Sequence, residues 1–112
     1  MKITQNHEDG LAVVKVEGRL DASSSTEAQK DLEHILDAES TRLLINLSGL
    51  EYISSAGLRV LLVVAKKMQQ KGGKIVLAAL TPNVKEVFEI SGFSAIFKIF
   101  DSVEESKAFL QG

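Results

Sequence analysis

Two runs, Arg42-Leu43-Leu44-Ile45-Asn46-Leu47 and Lys74 to Leu80, restrict the fold more than anything else in the chain. Each is almost continuously apolar and too short for a buried helix. Strands with one wet face alternate apolar and polar residues. A dense run of this length needs cover on both faces, as in the interior of a parallel sheet with helices packed on it. The segments between and after these runs have helical spacing. Leu58, Leu61, Leu62, Ala65 and Met68 form a stripe over a helix from about Ala56 to Gln70, stopped by Gly72-Gly73. Ala28, Leu32, Ile35 and Leu36 form another, opened by a capping box at Ser24 to Glu27 and ending near Ala38. Strand and helix therefore alternate, which predicts an α/β domain.

The flanks complete the pattern. A weak strand over Lys2–His7, an Asp9-Gly10 turn and a β-branched strand from Leu11 to Val16 predict a hairpin, ended by Gly18. Leu50 to Ile53 reads as a lead into the central helix. Thr81-Pro82 predicts a third helix start, with Val84, Val87 and Phe88 inward and Gly92 as its stop. A short last strand within Phe97–Phe100 and a capping-box-like start at Asp101 to Glu104 precede a terminal helix carrying Val103, Ala108, Phe109 and Leu110. At 112 residues the expectation is one domain over 1–112.

Composition removes several function classes. The net charge is −2 with no basic block, and the aromatic residues are one tyrosine and five phenylalanines. No nucleic-acid partner is expected. There is no cysteine, so thiol chemistry and cysteine metal sites are excluded. The segment MKITQNHEDG has no apolar core, and no run approaches the roughly 20 residues of a spanning helix. No signal peptide and no membrane insertion are expected, and the location expected is the cytoplasm.

The stretch "YISSAGLRVLL", residues 52–62, is where chemistry concentrates. A serine ahead of a helix accepts a hydrogen bond from an orphan amide of the first turn. The same helix end, with its free N–H groups and partial positive charge, also suits a phosphate. Ser54 and Ser55 therefore read as helix caps or as phosphoacceptors, and residue chemistry leaves both open. A serine hydrolase does not fit: Ile53 stands where a nucleophile elbow has glycine, and both histidines, His7 and His34, precede Ser55. Each histidine is expected on the surface. Gly73-Lys74 is no P-loop, because Met68 replaces the glycine that motif needs. No enzyme activity, no cofactor and no metal site are expected.

From Gly18 to its C-terminus the sequence resembles a STAS domain, and within it the stand-alone anti-sigma factor antagonists of bacterial partner-switching systems. "VEGRLDASSS", "LLINLSGLEYISSAGLRVLL" and "GGKIVLAALTPNVKEVFEISGF" carry the resemblance. It implies a mixed sheet of four to five strands with about four helices mainly on one side. It also implies a switch: the unphosphorylated protein binds an anti-sigma factor that is a serine kinase, freeing the sigma factor. Phosphorylation releases the antagonist and a serine phosphatase resets it. The family's phosphoacceptor falls on Ser55, with Ala56 and Gly57 behind it. Its usual acidic residue is replaced by Ser54, a second candidate acceptor expected to act more as the cap. The family's early aspartate, which lies near the acceptor, is matched by Asp21; a turn or cap role serves that residue equally. Asn46 stands where many relatives have aspartate.

Val60, Val63 and Val64 are apolar beyond the expected core stripe. They are candidates for a partner surface rimmed by Arg59 and Lys66. A monomer is expected. The alternative is the same fold as a scaffold, or as a subunit of a signalling assembly or transport system, without phosphorylation.

Overall fold

Asp9 and Gly10 reverse the chain, both at positive φ (48° and 79°), the backbone of the two-residue hairpin turn. They join strand β1 (Lys2–Glu8) to β2 (Leu11–Leu20), paired antiparallel from Lys2↔Glu17 to Glu8↔Leu11. The computed structural model describes residues 1–36 and 41–111, so the expected end of the first helix near Ala38 lies outside the described residues. After β2 come α1 (Ser25–Leu36), β3 (Arg42–Asn46), β4 (Leu50–Ile53), α2 (Ser55–Gln70), β5 (Lys74–Ala78) and α3 (Pro82–Ser91). A 3₁₀ turn over Phe93–Ala95, β6 (Ile99–Phe100) and α4 (Val103–Gln111) follow.

The sheet runs β1-β2-β3-β5-β6, with β4 also paired to β2. All pairs except β1·β2 are parallel. The two dense runs, β3 and β5, lie side by side in its interior, as their composition demands. Leu43 and Ile45 face a large core shared with α1, α2 and α3, while Leu44 faces a smaller one with Leu11, Val76, Ala78 and Leu110. Three helices thus cover one face and α4 alone covers the other. Arg42 ties this smaller layer together, donating to the Leu110 carbonyl (2.9 Å) and to the Asp9 carbonyl.

The described residues form six strands, where four or five were expected. The addition is β4. Leu50–Ile53 is not a mere lead-in, because β2 does not end at Gly18. Gly18 adopts φ +95°, the register with β4 shifts between Gly18 and Arg19, and β2 continues to Leu20 along β4. Neither flanking capping box forms as expected. The Ser24 hydroxyl accepts the Asp21 amide (3.1 Å) and donates to the Arg19 carbonyl (2.9 Å), so it closes the turn ahead of α1. At α4 the box is one residue later: Ser102 Oγ accepts the Glu105 amide (3.1 Å) and donates to that glutamate (3.2 Å). The Thr81 hydroxyl, at the start of α3, donates to the Leu50 carbonyl (3.0 Å) and anchors that helix to β4.

On the outer surface, Lys67 of α2 and Gln29 of α1 both donate to the Glu33 carboxylate. The Lys67 bond, then that of Gln29, hold Glu33 below the usual carboxylate range. A carboxyl held low in the fold favours folding above its ordinary pKa, and loses that contribution as pH falls through the folded value. Thermal melts of wild type and Glu33→Gln should therefore differ at neutral pH and converge on acidification below the ordinary glutamate range.

Candidate functional site

The site is built where β2 and β4 end together. Leu20 pairs with Ile53, and the Ser54 amide donates to the Leu20 carbonyl (3.0 Å). The chain then turns directly into α2. Ser54 is the N-cap: its backbone is extended, its carbonyl accepts the Leu58 amide (2.9 Å), and its hydroxyl accepts the Gly57 amide at 3.4 Å. Ser54 therefore takes the cap role expected of it. Ser55, first residue of the helix, is exposed, and its hydroxyl makes no hydrogen bond among the described residues.

Gly57 explains why the entrance is made of small residues. A Cβ there would lie 2.6 Å from the Leu20 carbonyl oxygen and 2.8 Å from Cγ1 of Ile53. The helix start therefore rests its backbone on the Leu20 carbonyl of β2 and on the Ile53 side chain of β4, with no room for a methyl group.

Asp21, one residue past the Leu20–Ile53 pair, leaves β2 at the same edge at which Ser54 leaves β4. It is a turn residue: the Ser23 amide (3.0 Å) and hydroxyl (2.6 Å) donate to Oδ1. The Ser23 hydroxyl is the main cause holding its carboxyl below the usual range, and the nearby Arg19 guanidinium, 3.8 Å away, acts in the same direction. Asp21 is therefore an anion at neutral pH beside the α2 entrance. Asn46 makes a turn of the same kind, accepting the Ser48 amide (3.0 Å).

Arg19 and Tyr52 belong to this edge and were not among the residues expected. The guanidinium lies over the phenol ring, 4.3 Å from its centroid, in a cation–π contact on an exposed surface. The only signal for it is the register Arg19↔Tyr52, which is invisible until β4 is recognised as a strand.

The proposed contact stripe needs one correction. Val60 is 3% exposed and belongs to the core, as does Val64; Leu62 and Ala65 are only half-buried. The reason is the docking of α2 on α1 as well as on the sheet, which turns its buried arc toward α1. Ser55, Arg59, Leu62, Val63 and Lys66 then share the outer stripe, at helical spacings of three, four and one residues. Arg59 and Lys66 are exposed, and Leu62 and Val63 are half-buried. Beside this stripe runs a shallow cleft of about 260 Å³ between α1 and α2, lined by Ser25, Thr26, Gln29, Ala56, Arg59 and Val63, with Val60 in its floor. No acidic residue lies in the first turn of α2, so the positive end of its dipole is uncompensated from within the helix.

Both histidines are exposed, as expected. Among the described residues, no cluster of histidine and carboxylate side chains could hold a metal ion, and no helix is long and apolar enough to cross a membrane.

Comparison with known proteins decides the family, since the STAS domain pattern matches residues 2–106. The chain belongs to the STAS-domain family of anti-sigma factor antagonists. It is 41% identical over 108 residues to BtrV of Bordetella bronchiseptica, which is provisionally named an anti-sigma factor antagonist; the match covers 96% of this chain and 93% of BtrV. The fold is also that of an anti-sigma factor antagonist from Mycobacterium paratuberculosis, with TM-score 0.90, 20% identity, and coverage of 99% and 94% of the two chains. The antagonist SpoIIAA in its unphosphorylated form superposes with TM-score 0.83 at 20% identity, covering 99% of this chain and 97% of its own. Its phosphorylated form, from Bacillus, gives TM-score 0.72 at 18% identity, over 96% and 97%. In this STAS domain, then, the exposed Ser55 stands at the end of the sheet where β2 and β4 deliver the chain to α2.

Two stability measurements probe the entrance. Gly57→Ala should lose about 1–3 kcal/mol in chemical denaturation, the cost of overpacking a closed contact. Ser54→Ala should lose about 1 kcal/mol as a removed cap. Ser55→Ala should stay within about 0.5 kcal/mol of wild type, as a surface change does.

Proposed function

We propose that this protein is a phosphorylation-controlled antagonist. Unphosphorylated, it binds an anti-sigma factor that is also a serine kinase and so frees the sigma factor. Phosphorylation of Ser55 ends that binding and a serine phosphatase restores it. The observation that carries the reading is the division of work at the helix entrance: Ser54 caps α2, which leaves the Ser55 hydroxyl exposed and without a structural bond among the described residues. Further support comes from the 41% identity to BtrV and from the existence of SpoIIAA in two phosphorylation states.

The chemistry is done to the protein, which is not itself an enzyme. The Ser55 Oγ attacks the γ-phosphorus of ATP held by the kinase. The Oγ–P bond forms, the β–γ anhydride bond breaks, ADP departs, and the hydroxyl proton passes to a base on the kinase. The product adds about −1.5 to −2 charges at the head of a stripe that otherwise presents Arg59, Leu62, Val63 and Lys66. A partner surface shaped for that cationic and apolar stripe then meets an anion, and desolvation and like-charge repulsion expel it. Because the first-turn amides and Arg59 lie on the same helix end, the modified side chain has favourable neighbours and needs no refolding of α2.

Incubation with ATP and the kinase-type partner, read by intact-mass and peptide mass spectrometry, tests this. One phosphate on wild type and none on Ser55→Ala is the expected result. A phosphate that persists in Ser55→Ala would move the acceptor to Ser54. No phosphate on either, with a kinase active on another substrate, would favour a scaffold or transport-subunit role. In a binding assay, Ser55→Asp should weaken partner affinity at least about tenfold, while Arg59→Ala should weaken it with phosphorylation absent.

A further inference from the structure

Strand β1 ends the sheet on one side: among the described residues no strand lies beyond it. Long edge strands are normally blunted by charged side chains, proline, bulges, brevity or cover. β1 carries charges only near its ends, at Lys2 and Glu8, and among the described residues it has no proline, bulge or covering strand. It runs seven residues, Lys-Ile-Thr-Gln-Asn-His-Glu, in unbroken register with β2. Five of its residues are exposed and only Ile3 and Glu8 are partly covered, so among the described residues no strand or helix lies across the edge.

Its hydrogen-bonding direction follows from the turn. Glu8 and Leu11 flank the two-residue loop and form a bonded pair, and bonding alternates along the ladder from there. Glu8, Asn6, Thr4 and Lys2 therefore aim their amides and carbonyls at β2. Ile3 and Gln5 aim theirs outward. The other side of β2 agrees with this phase, because the even-numbered Gly18, ahead of the register shift, donates its amide to the Gly49 carbonyl (2.9 Å), away from β1. The side chains sort the same way. Glu8 meets Lys107 of α4 at 3.5 Å on one face, and Ile3 packs toward the main core on the other.

We propose that β1 pairs antiparallel with β1 of a second copy of this chain, centred on Gln5, and joins two sheets into one. This departs from the monomer expected from the sequence. The register is chosen by two independent features. Gln5 opposite Gln5 is a pairing in which outward amides and carbonyls meet as a bonded pair. That same register sets Lys2 opposite Glu8 of the second copy, and Glu8 opposite its Lys2, on the α4 face. Opposite charges directly across a ladder stabilise the pairing and like charges oppose it. Glu8 already accepts from Asn6 (3.1 Å) and neighbours Lys107 (3.5 Å); Lys2 of the second copy joins that pair. The strand is otherwise polar, so the association is weak and reversible, with none of the apolar content that drives edge aggregation. It uses the edge opposite the β6 side of the sheet, and takes no residue from the Ser55 stripe.

Sedimentation of the full chain over about a hundredfold range of concentration tests the pairing. Wild type should pass from monomer toward dimer. Lys2→Glu and Glu8→Lys should each weaken the dimer at least about tenfold, since two attractions become two repulsions. An equimolar mixture of these two variants should recover it as a heterodimer, which also shows that both are folded. Amide exchange should slow with concentration at Ile3 and Gln5 but not at Thr4, already bonded within the hairpin. A wild type monomeric throughout the range overturns the proposal. So does a dimer indifferent to both charge changes, which would put the contact elsewhere.

Discussion

The carbonyl of Leu20 is the point on which the site depends. It accepts the Ser54 amide and lies so close to Gly57 that no Cβ fits between. One oxygen atom thereby fixes where β4 stops, where α2 starts and how near the helix comes to the sheet. Ser54 must then be the cap, because its amide is already committed to β2 and its carbonyl to Leu58. Ser55 must then be the first outward residue. The exposure of that hydroxyl follows from backbone geometry on the neighbouring strand β2 and not from any local preference of serine.

The rest of the core keeps this contact in place. Leu20, Ile53, Leu58 and Leu61 lie in one continuous cluster with α1 and α3. The anchoring of α3 to β4 through Thr81 and Leu50 closes the other side of the same strand. β4 is only four residues long, too short to hold itself, and it persists because both of its ends are spoken for. The opposite layer does different work. α4 covers β3 and β5, and the Arg42 side chain joins the hairpin turn to the end of α4. Neither of those features touches the α2 entrance.

Much of this was legible in the residues. The density of Arg42–Leu47 and Lys74–Leu80 required cover on both faces, and the strands they form, β3 and β5, are covered on both, although β5 stops at Ala78 because Ala79 turns out of the sheet at positive φ. Asp9-Gly10 between two polar and β-branched stretches required a hairpin. The serine pair and its small neighbours required a close-packed helix start. What escaped was set by contacts distant in sequence. β4 alternates too briefly to be seen, and only its partner β2, bulged at Gly18, makes it a strand. Ser24 has the spacing of a capping box, but its hydroxyl is taken by the turn around Asp21. Val60 and Leu62 exchange roles because the angle at which α2 leans on α1 is a tertiary quantity that helical periodicity does not contain. Arg19 over Tyr52 depends on the same hidden strand.

The rigidity of the α2 entrance has a consequence for time. A helix seated on the sheet this closely must break the Leu20 contacts before it can shift. On the proposed reading, the state of the protein is then stored in a single covalent ester and in nothing else. There is no conformer to relax back and no hysteresis to outlast the chemistry. Memory in such a device lasts as long as the ester bond, and its erasure is governed wholly by whichever enzyme cleaves it.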